Sequence, residues 1–138
     1  VREYLGAGGH GAYARWFDRL NAQAAEEAGD MNMALTREFK ETIQARVRRD
    51  PAFRRQLLRE GIECLLAGDV DTGKTVLRDY INATVGFEEL GAATRKSAKS
   101  LMRMLAPNGN PRARNLFAIV AYLQAQEGVR LEVRSARR

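Results

Sequence analysis

Hydrophobic residues recur with a helical period along most of this chain. Leu35, Phe39, Ile43 and Val47 step by four positions, with charged residues among those between them. Side chains three and four positions apart share one face of a helix, so the pattern predicts amphipathic helices packed into an all-α fold. Four further stripes have this spacing: Tyr13, Trp16, Phe17, Leu20 and Ala24; Phe53, Leu57, Leu58, Ile62, Leu65 and Leu66; Val76, Leu77, Tyr80, Ile81 and Thr84; and Leu116, Ile119, Val120 and Leu123.

Polar residues and glycines mark where some of these helices begin and end. Asp50 and Pro51 precede the stripe that starts at Phe53. Aspartate is a favoured N-cap and proline is favoured at the first helical position, so we expect a helix to begin there. The helix that carries Val76 and its neighbours is expected to end near Gly86.

Residues 68–75 read GDVDTGKT and match the phosphate-binding pattern G-x-x-x-x-G-K-[ST]. A loop of that kind follows a short and almost continuous hydrophobic strand, whereas the residues before Gly68 carry a helical stripe. Asp69 and Asp71 would also place carboxylates where backbone N–H groups must hold phosphates. We therefore interpret GDVDTGKT as a turn between two helices, with Gly68 ending one helix and Asp71 or Thr72 as the N-cap of the next.

The hydrophobic pattern changes its period at the end of the chain. Val129, Leu131 and Val133 alternate with charged residues, which is typical of a β-strand. A single strand leaves backbone groups unpaired, so we expect this one to pair with a copy of itself or with another protein. The sequence thus predicts a helical bundle with a short C-terminal β-strand.

Composition narrows the class of protein and of partner. The chain has 138 residues, which fits one domain, and a formal net charge of +6, which favours a polyanionic partner. Cys64 is the only cysteine, so an internal disulfide is excluded and a reducing compartment is favoured. The chain shows neither a signal-peptide pattern nor an apolar run of membrane-spanning length. We expect a cytoplasmic protein without membrane association.

Residues 87–105 have the spacing of a helix-turn-helix. Gly91 lies where the first helix must approach the second closely, and Ser97 is suited to cap the second helix. In this interpretation the second helix enters the major groove of DNA and reads base edges. The residues that would pack the two helices together are Phe87, Leu90, Leu101 and Leu105. The residues that would face outward are Ala98, Lys99, Met102 and Arg103.

The charge distribution supports this interpretation. No aspartate or glutamate occurs between Glu89 and Glu127, although several cations lie there. The alternative is a basic face that is merely solvated. Asn108, Gly109 and Asn110 could donate to a phosphate at the start of the following helix, or they could only cap that helix. The predicted DNA-contacting residues are Arg95, Lys96, Ser97, Lys99, Ser100, Met102, Arg103, Asn108, Asn110, Arg112 and Arg114.

Residues from about 33 to 133 resemble the antidote (antitoxin) proteins of HigA-like addiction modules. The segments that carry the resemblance are MALTREFKETI, GIECLLAGDVDTGKTVLRDYINATVGFEEL, KSLMRML, GNPRARNLFAIVAYL and GVRLEV. The resemblance implies a lambda-repressor-like helix-turn-helix that binds its own operator and neutralises a RelE/HigB-like toxin. The chain departs from the helix-turn-helix pattern at Arg95 and Lys96, which occupy the turn where glycine and an apolar residue are usual.

Residues 1–28 resemble a different class of protein. The segment REYLGAGGHGAYARWFDRLNAQAA is similar to the N-terminal strand and first helix of RelE/HigB-like toxins. We therefore divide the chain into a toxin-like segment over residues 1–30 and an antidote-like DNA-binding domain over residues 31–138. The alternative is that the first 28 residues are simply a native amphipathic helix of this protein.

The residues do not suggest a catalytic centre. His10 is the only histidine, Cys64 lies within a helical stripe, and Asp69 and Asp71 are better used as helix caps than as metal ligands. We expect a non-enzymatic, homodimeric antidote that binds double-stranded operator DNA and a toxin, without a metal or cofactor. The alternatives are a stand-alone helix-turn-helix transcriptional regulator with no toxin partner and an NTP-binding enzyme using GDVDTGKT.

Overall fold

The computed structural model describes residues 44–137, which form helices and contain no β-strand. The predicted toxin-like segment and the predicted helices before residue 44 lie outside the described residues. The all-α prediction is confirmed for the described part. Its helical segments are α1 over residues 44–49, α2 over Pro51–Leu66, α3 over Val70–Ala83, α4 over Gly86–Thr94, α5 over Ala98–Met104 and α6 over Ala113–Glu127.

The core is built from the predicted helical stripes. One buried cluster takes residues from all of these helices and from the end of α5, including Val47, Leu58, Leu77, Leu105 and Ile119. Two assignments were wrong. Leu66 is 64 % exposed at the end of α2, and Ala98 is half-buried against the core rather than facing outward on α5.

The helices α2 and α3 form the most extensive helix pair of the described structure. Gly73 of α3 lies at their closest approach, because a Cβ atom there would come within 2.7 Å of Leu65 Cδ2 and 3.2 Å of the Gly61 carbonyl oxygen. Gly68 has φ +88° and ends α2 in the left-handed conformation that favours glycine. Gly68 and Asp69 therefore connect the two helices, as predicted, but residues 70–75 belong to α3, so most of GDVDTGKT is helical rather than a turn.

Two aspartates cap helices in this part of the chain. The Asp50 carboxylate accepts a hydrogen bond from the Phe53 N–H at 3.2 Å, which confirms the predicted start of α2. The Asp69 carboxylate caps α3 by accepting from the Thr72 N–H at 3.3 Å. The prediction of Asp71 or Thr72 as the N-cap was wrong, because the helix begins earlier than its hydrophobic stripe indicates. The same helix ends at Ala83, three residues before Gly86, which opens α4.

The C-terminal segment has no regular secondary structure in the described residues. Val129 and Leu131 are half-buried against the helical core, and the Leu131 N–H donates to the Gln124 side-chain oxygen at 2.8 Å. Val133 is 78 % exposed. The alternating pattern therefore reflects contact of Val129 and Leu131 with the bundle. Pairing of this segment with a second chain stays a prediction.

Candidate nucleic-acid interface

The helices α4 and α5 are joined by a turn over residues 95–97. Arg95 ends α4 in the left-handed conformation, with φ +60° and ψ +42°, and no other non-glycine described residue has positive φ. The Lys96 N–H donates to the Gly91 carbonyl at 3.0 Å. A Cβ atom on Gly91 would overlap the Lys96 carbonyl oxygen, so this glycine lets the turn fold back onto α4. The prediction of a close approach at Gly91 is confirmed.

The helix α5 begins as predicted. The Ser97 hydroxyl oxygen accepts a hydrogen bond from the Ser100 N–H at 3.0 Å, so Ser97 is the N-cap. Leu101 and the following Leu105 are fully buried and anchor the inner side of the helix. The first helix of the pair contributes Phe87 and Leu90 to the same core, as the spacing predicted.

The predicted DNA-contacting residues differ in exposure. Met102 is 47 % exposed, and it lies beside exposed cations on the outer side of α5. Lys96 and Ser100 are half-buried. The exposed members of the set are Arg95, Ser97, Lys99, Met102, Arg103, Asn108, Asn110, Arg112 and Arg114. Among the described residues, none of the exposed cations in this set forms an ion pair with a carboxylate.

The loop between α5 and α6 folds back onto the end of α5. The Gly109 N–H donates to the Ala106 carbonyl at 2.8 Å. A Cβ atom on Gly109 would overlap the carbonyl oxygens of Arg103 and Met104, so only glycine fits there. The loop therefore places Asn108 and its neighbours beside the last turn of α5.

Two cations from α3 hold this loop, and neither was among the residues predicted from the sequence. The Lys74 ammonium donates to the carbonyl oxygens of Gly109 at 2.7 Å, Ala106 at 3.1 Å and Pro107 at 3.3 Å. Arg78, one helical turn later, donates from Nη1 to the Leu105 carbonyl at 2.8 Å. The Lys74 side chain is only 3 % exposed, and the Asp71 carboxylate lies 3.5 Å from its Nζ.

A signal for Lys74 was present in the sequence. Lys74 lies three positions before Leu77 and seven before Ile81, on the buried stripe of α3. A lysine at a core position must find buried acceptors, because an unpaired buried ammonium is strongly destabilising. Its position in GDVDTGKT thus has a structural explanation, since its three N–H donors are already engaged by backbone carbonyls.

The helix α6 begins directly after this loop. Arg112 is its N-cap residue, and no side-chain hydrogen bond caps its first turn. Asn108 and Asn110 are exposed and do not cap α6, so the capping alternative does not hold. The first-turn N–H groups of α6 and the exposed Arg112 and Arg114 therefore lie together at one end of the helix.

A second polar cluster ties the C-terminal end of α6 to α2 and α3. The buried Glu127 carboxylate accepts from Arg54 Nε at 2.8 and 3.0 Å and from the Tyr80 hydroxyl at 2.5 Å. Arg54 also donates to the Val47 carbonyl at 3.0 Å. Burial, followed by the hydrogen bond to Glu127, raises the pKa of Tyr80 well above its ordinary value. Arg54, Tyr80 and Glu127 border an open pocket of about 360 Å³ that Arg48 also lines.

The described residues offer no metal site and no membrane span. No group of three or more histidine, cysteine, aspartate or glutamate residues within 44–137 could hold a metal ion. No helix in the same range is long and apolar enough to cross a membrane. Comparison of the chain with protein-family models, with curated proteins and with solved structures finds no match.

Proposed function

We propose that this protein is a non-enzymatic repressor that binds double-stranded operator DNA through a helix-turn-helix formed by α4 and α5. The observation that carries the proposal is the arrangement of α5. Its inner side is fixed to the core by Leu101 and Leu105, while Lys99, Met102 and Arg103 are exposed on its outer side. A rigidly anchored helix with exposed long side chains suits the major groove.

Electrostatics favours nucleic acid as the partner. The chain from residue 90 to 126 has no aspartate or glutamate, and its exposed cations form no ion pair with a carboxylate of the described part. Cations that are already paired with carboxylates gain little from a phosphate, whereas free ones displace counterions from DNA. The same surface would repel a basic partner and attract a polyanion.

The cations are proposed to have two different tasks. Lys99 and Arg103 lie on the exposed side of α5, where they reach base edges if the helix enters the major groove. Arg112 and Arg114 flank the uncapped start of α6, where positive charge and N–H groups suit a backbone phosphate. Sequence preference would therefore depend on α5, and overall affinity would depend on the start of α6.

The repressor is proposed to act as a homodimer. One helix-turn-helix contacts one half-site, and two half-sites about one helical turn apart give useful specificity. Residues 129–133 remain a candidate for pairing between chains, because Val133 is exposed and the segment belongs to no helix. Light scattering should report a dimer, and a monomer that still binds a single half-site specifically would contradict this arrangement.

The toxin partner rests on the resemblance to HigA-like antidotes. Under this hypothesis the protein neutralises a RelE/HigB-like toxin and represses its own operon. The alternative is a stand-alone helix-turn-helix regulator without a toxin partner. Co-expression with a RelE/HigB-like toxin from the same genome, followed by pull-down, distinguishes them: a stable complex favours the antidote, and its absence favours the stand-alone regulator.

The central experiment is a salt titration of DNA binding. Arg103→Ala should lose about 1–3 kcal/mol on the DNA upstream of its own gene and little on scrambled DNA. Arg112→Ala should weaken binding to both DNAs and reduce the salt dependence by roughly one counterion. Arg59→Ala is the matched control, because Arg59 is exposed on α2, outside the proposed interface. If both test variants bind both DNAs as tightly as the parent, the proposed interface is wrong.

A further inference from the structure

We infer that Lys74 and Arg78 are positioning residues for DNA binding, which rests on the function proposed above. They contact no DNA themselves in this arrangement. They fix the loop over residues 105–110 to α3 and thereby set the placement of the start of α6 relative to α5. The phosphate-binding residue whose position depends on them is Arg112.

The contacts of the loop support this role. Lys74 donates to three loop carbonyls, and Arg78 donates to the Leu105 carbonyl. No other side chain of the described residues hydrogen-bonds to these loop carbonyls. Pro107 and Asn108 are exposed to solvent. The two α3 cations are thus the side-chain anchors of a loop whose outer half is exposed.

The position of the cations also has an electrostatic consequence. The carbonyl groups at the end of α5 carry the partial negative charge of a helix C-terminus. Arg78 donates to the carbonyl of Leu105, the C-cap residue of α5, and Lys74 adds positive charge beside the carbonyls of the loop that follows. Without these two cations, the carbonyl oxygens of residues 105, 106, 107 and 109 would lose their side-chain donors. The two cations therefore both hold the loop and make its surroundings less repulsive to DNA.

The same contacts explain why the placement is rigid. Lys74 is almost fully buried, and its only carboxylate partner within the described residues, Asp71, is exposed to solvent, so loss of the carbonyl acceptors would leave its ammonium poorly compensated. Glycine is required at Gly109 because the loop contacts the carbonyl oxygens of the last α5 turn. Movement of the loop would break both the Lys74 hydrogen bonds and the close packing of Gly109 on the last turn of α5. The distance between α5 and the first residues of α6 is consequently set by α3.

The test is a double-mutant cycle in the full chain. Lys74→Met removes the ammonium and keeps most of the aliphatic stem, and Arg78→Met is the milder variant if the first one folds poorly. Each is combined with Arg112→Ala and, separately, with Lys99→Ala. Arg59→Met serves as the control for the loss of one cation from a surface outside the interface. Circular dichroism and thermal unfolding establish that each variant is folded under the binding conditions.

The inference predicts selective coupling to Arg112. Lys74→Met should reduce the salt slope of DNA binding by about 0.9, as loss of one phosphate contact does, although Lys74 is buried. Adding Arg112→Ala to Lys74→Met should change the affinity by less than about twofold. Adding Lys99→Ala to Lys74→Met should instead reduce the affinity by the product of the fold-losses of the two single variants. If the losses for Lys74→Met and Arg112→Ala also multiply, Lys74 only stabilises the fold and the inference is overturned.

A second measurement does not depend on DNA. Hydrogen exchange of the Gly109 amide should be faster by about tenfold or more in Lys74→Met, while amides of α2 keep their protection. Unchanged exchange at Gly109 would overturn the positioning role. The parent chain could fail to bind DNA while the Gly109 amide still exchanges faster in Lys74→Met. In that case the proposed function is wrong, but the anchoring of the loop by Lys74 stands.

Discussion

The hydroxyl group of Tyr80 lies 2.5 Å from a carboxylate oxygen of Glu127, and this contact joins α3 to the end of α6. Arg54 of α2 donates to the same carboxylate, so three helices meet at one buried negative charge. The Glu127 side chain is 5 % exposed and that of Arg54 is 23 % exposed. At such burial, removal of one partner would leave the charge of the other without compensation.

Removal of Glu127 should therefore destabilise the fold markedly. Glu127→Ala leaves the Arg54 guanidinium and the Tyr80 hydroxyl without their acceptor, and we expect the free energy of unfolding to fall by about 3 kcal/mol. Urea titration followed by circular dichroism measures this change. Glu132→Ala is the matched control, because Glu132 pairs with Arg130 at the surface and should cost less than about 1 kcal/mol. If both variants lose the same free energy of unfolding, the buried cluster does not stabilise the fold more than the surface pair does.

Cys64 should be almost inert in the folded protein. Burial raises the pKa of its thiol to about 12, and the negative charges of Asp69, Glu60 and Glu63 act in the same direction. Because the thiolate is the reactive species, labelling by a thiol reagent at about pH 8 should be slower than in concentrated urea by roughly a hundredfold or more. Cys64 is the only cysteine, so the measured rate belongs to it alone. Rapid labelling of the folded chain would show that the thiol is accessible or ionised.

Glu60 should make stability depend on pH. Burial, followed by the nearby Glu63 charge, raises the pKa of Glu60 above its ordinary value of 4.5. A raised pKa in the folded state favours the protonated carboxyl, so this contribution is fully present below the unfolded-state pKa and is lost as pH rises through the folded-state pKa. Glu60→Gln stays neutral and keeps an acceptor for the Gln56 amide, which donates to Glu60 at 3.0 Å.

The expected outcome is a pair of stability curves that diverge with pH. At about pH 4 the parent and Glu60→Gln should have similar free energies of unfolding. Towards neutral pH the variant should become the more stable of the two, and the difference should then level off. Thermal unfolding at a series of pH values measures this. A variant that is less stable than the parent at neutral pH would show that the ionised carboxylate is favoured by the fold.

Local sequence patterns predicted the helices and much of the core. Leu77 and Leu101 were assigned to the core from their spacing, and both are fully buried. Asp50 and Ser97 were assigned as N-caps from residue type and position, and both side chains accept the expected hydrogen bonds. These features depend on interactions within three or four residues. Periodicity and capping preferences report such interactions directly.

The polar contacts between helices could not be predicted in the same way. Lys74 and Gly109 are separated by 35 positions in the chain, and Arg54 and Glu127 by 73. No period connects such pairs, because their approach depends on how the helices pack. The hydrophobic pattern also could not identify Asp69 as the N-cap of α3. Asp69 and Asp71 are both suitable residue types, and the hydrophobic stripe begins only after them. The residues of the candidate interface stay a prediction, and the α3 contacts that hold its loop became visible only in the structure.

The turn between α4 and α5 provides a test that separates backbone strain from charge. Arg95 has φ +60°, a conformation that costs a residue with a Cβ atom about 1 kcal/mol or more. Arg95→Gly should remove this strain and raise the free energy of unfolding by about 0.5–1 kcal/mol, after part of the gain is offset by the greater freedom of glycine in the unfolded chain. Arg95→Ala removes the same charge but keeps the Cβ atom, so it should give no such gain. Chemical denaturation compares the two variants with the parent. On DNA, both variants lose the same cation and should show the same reduced salt slope, by about one counterion if Arg95 contacts a phosphate. If Arg95→Gly and Arg95→Ala raise the free energy of unfolding equally, relief of the left-handed strain is not the cause of the gain.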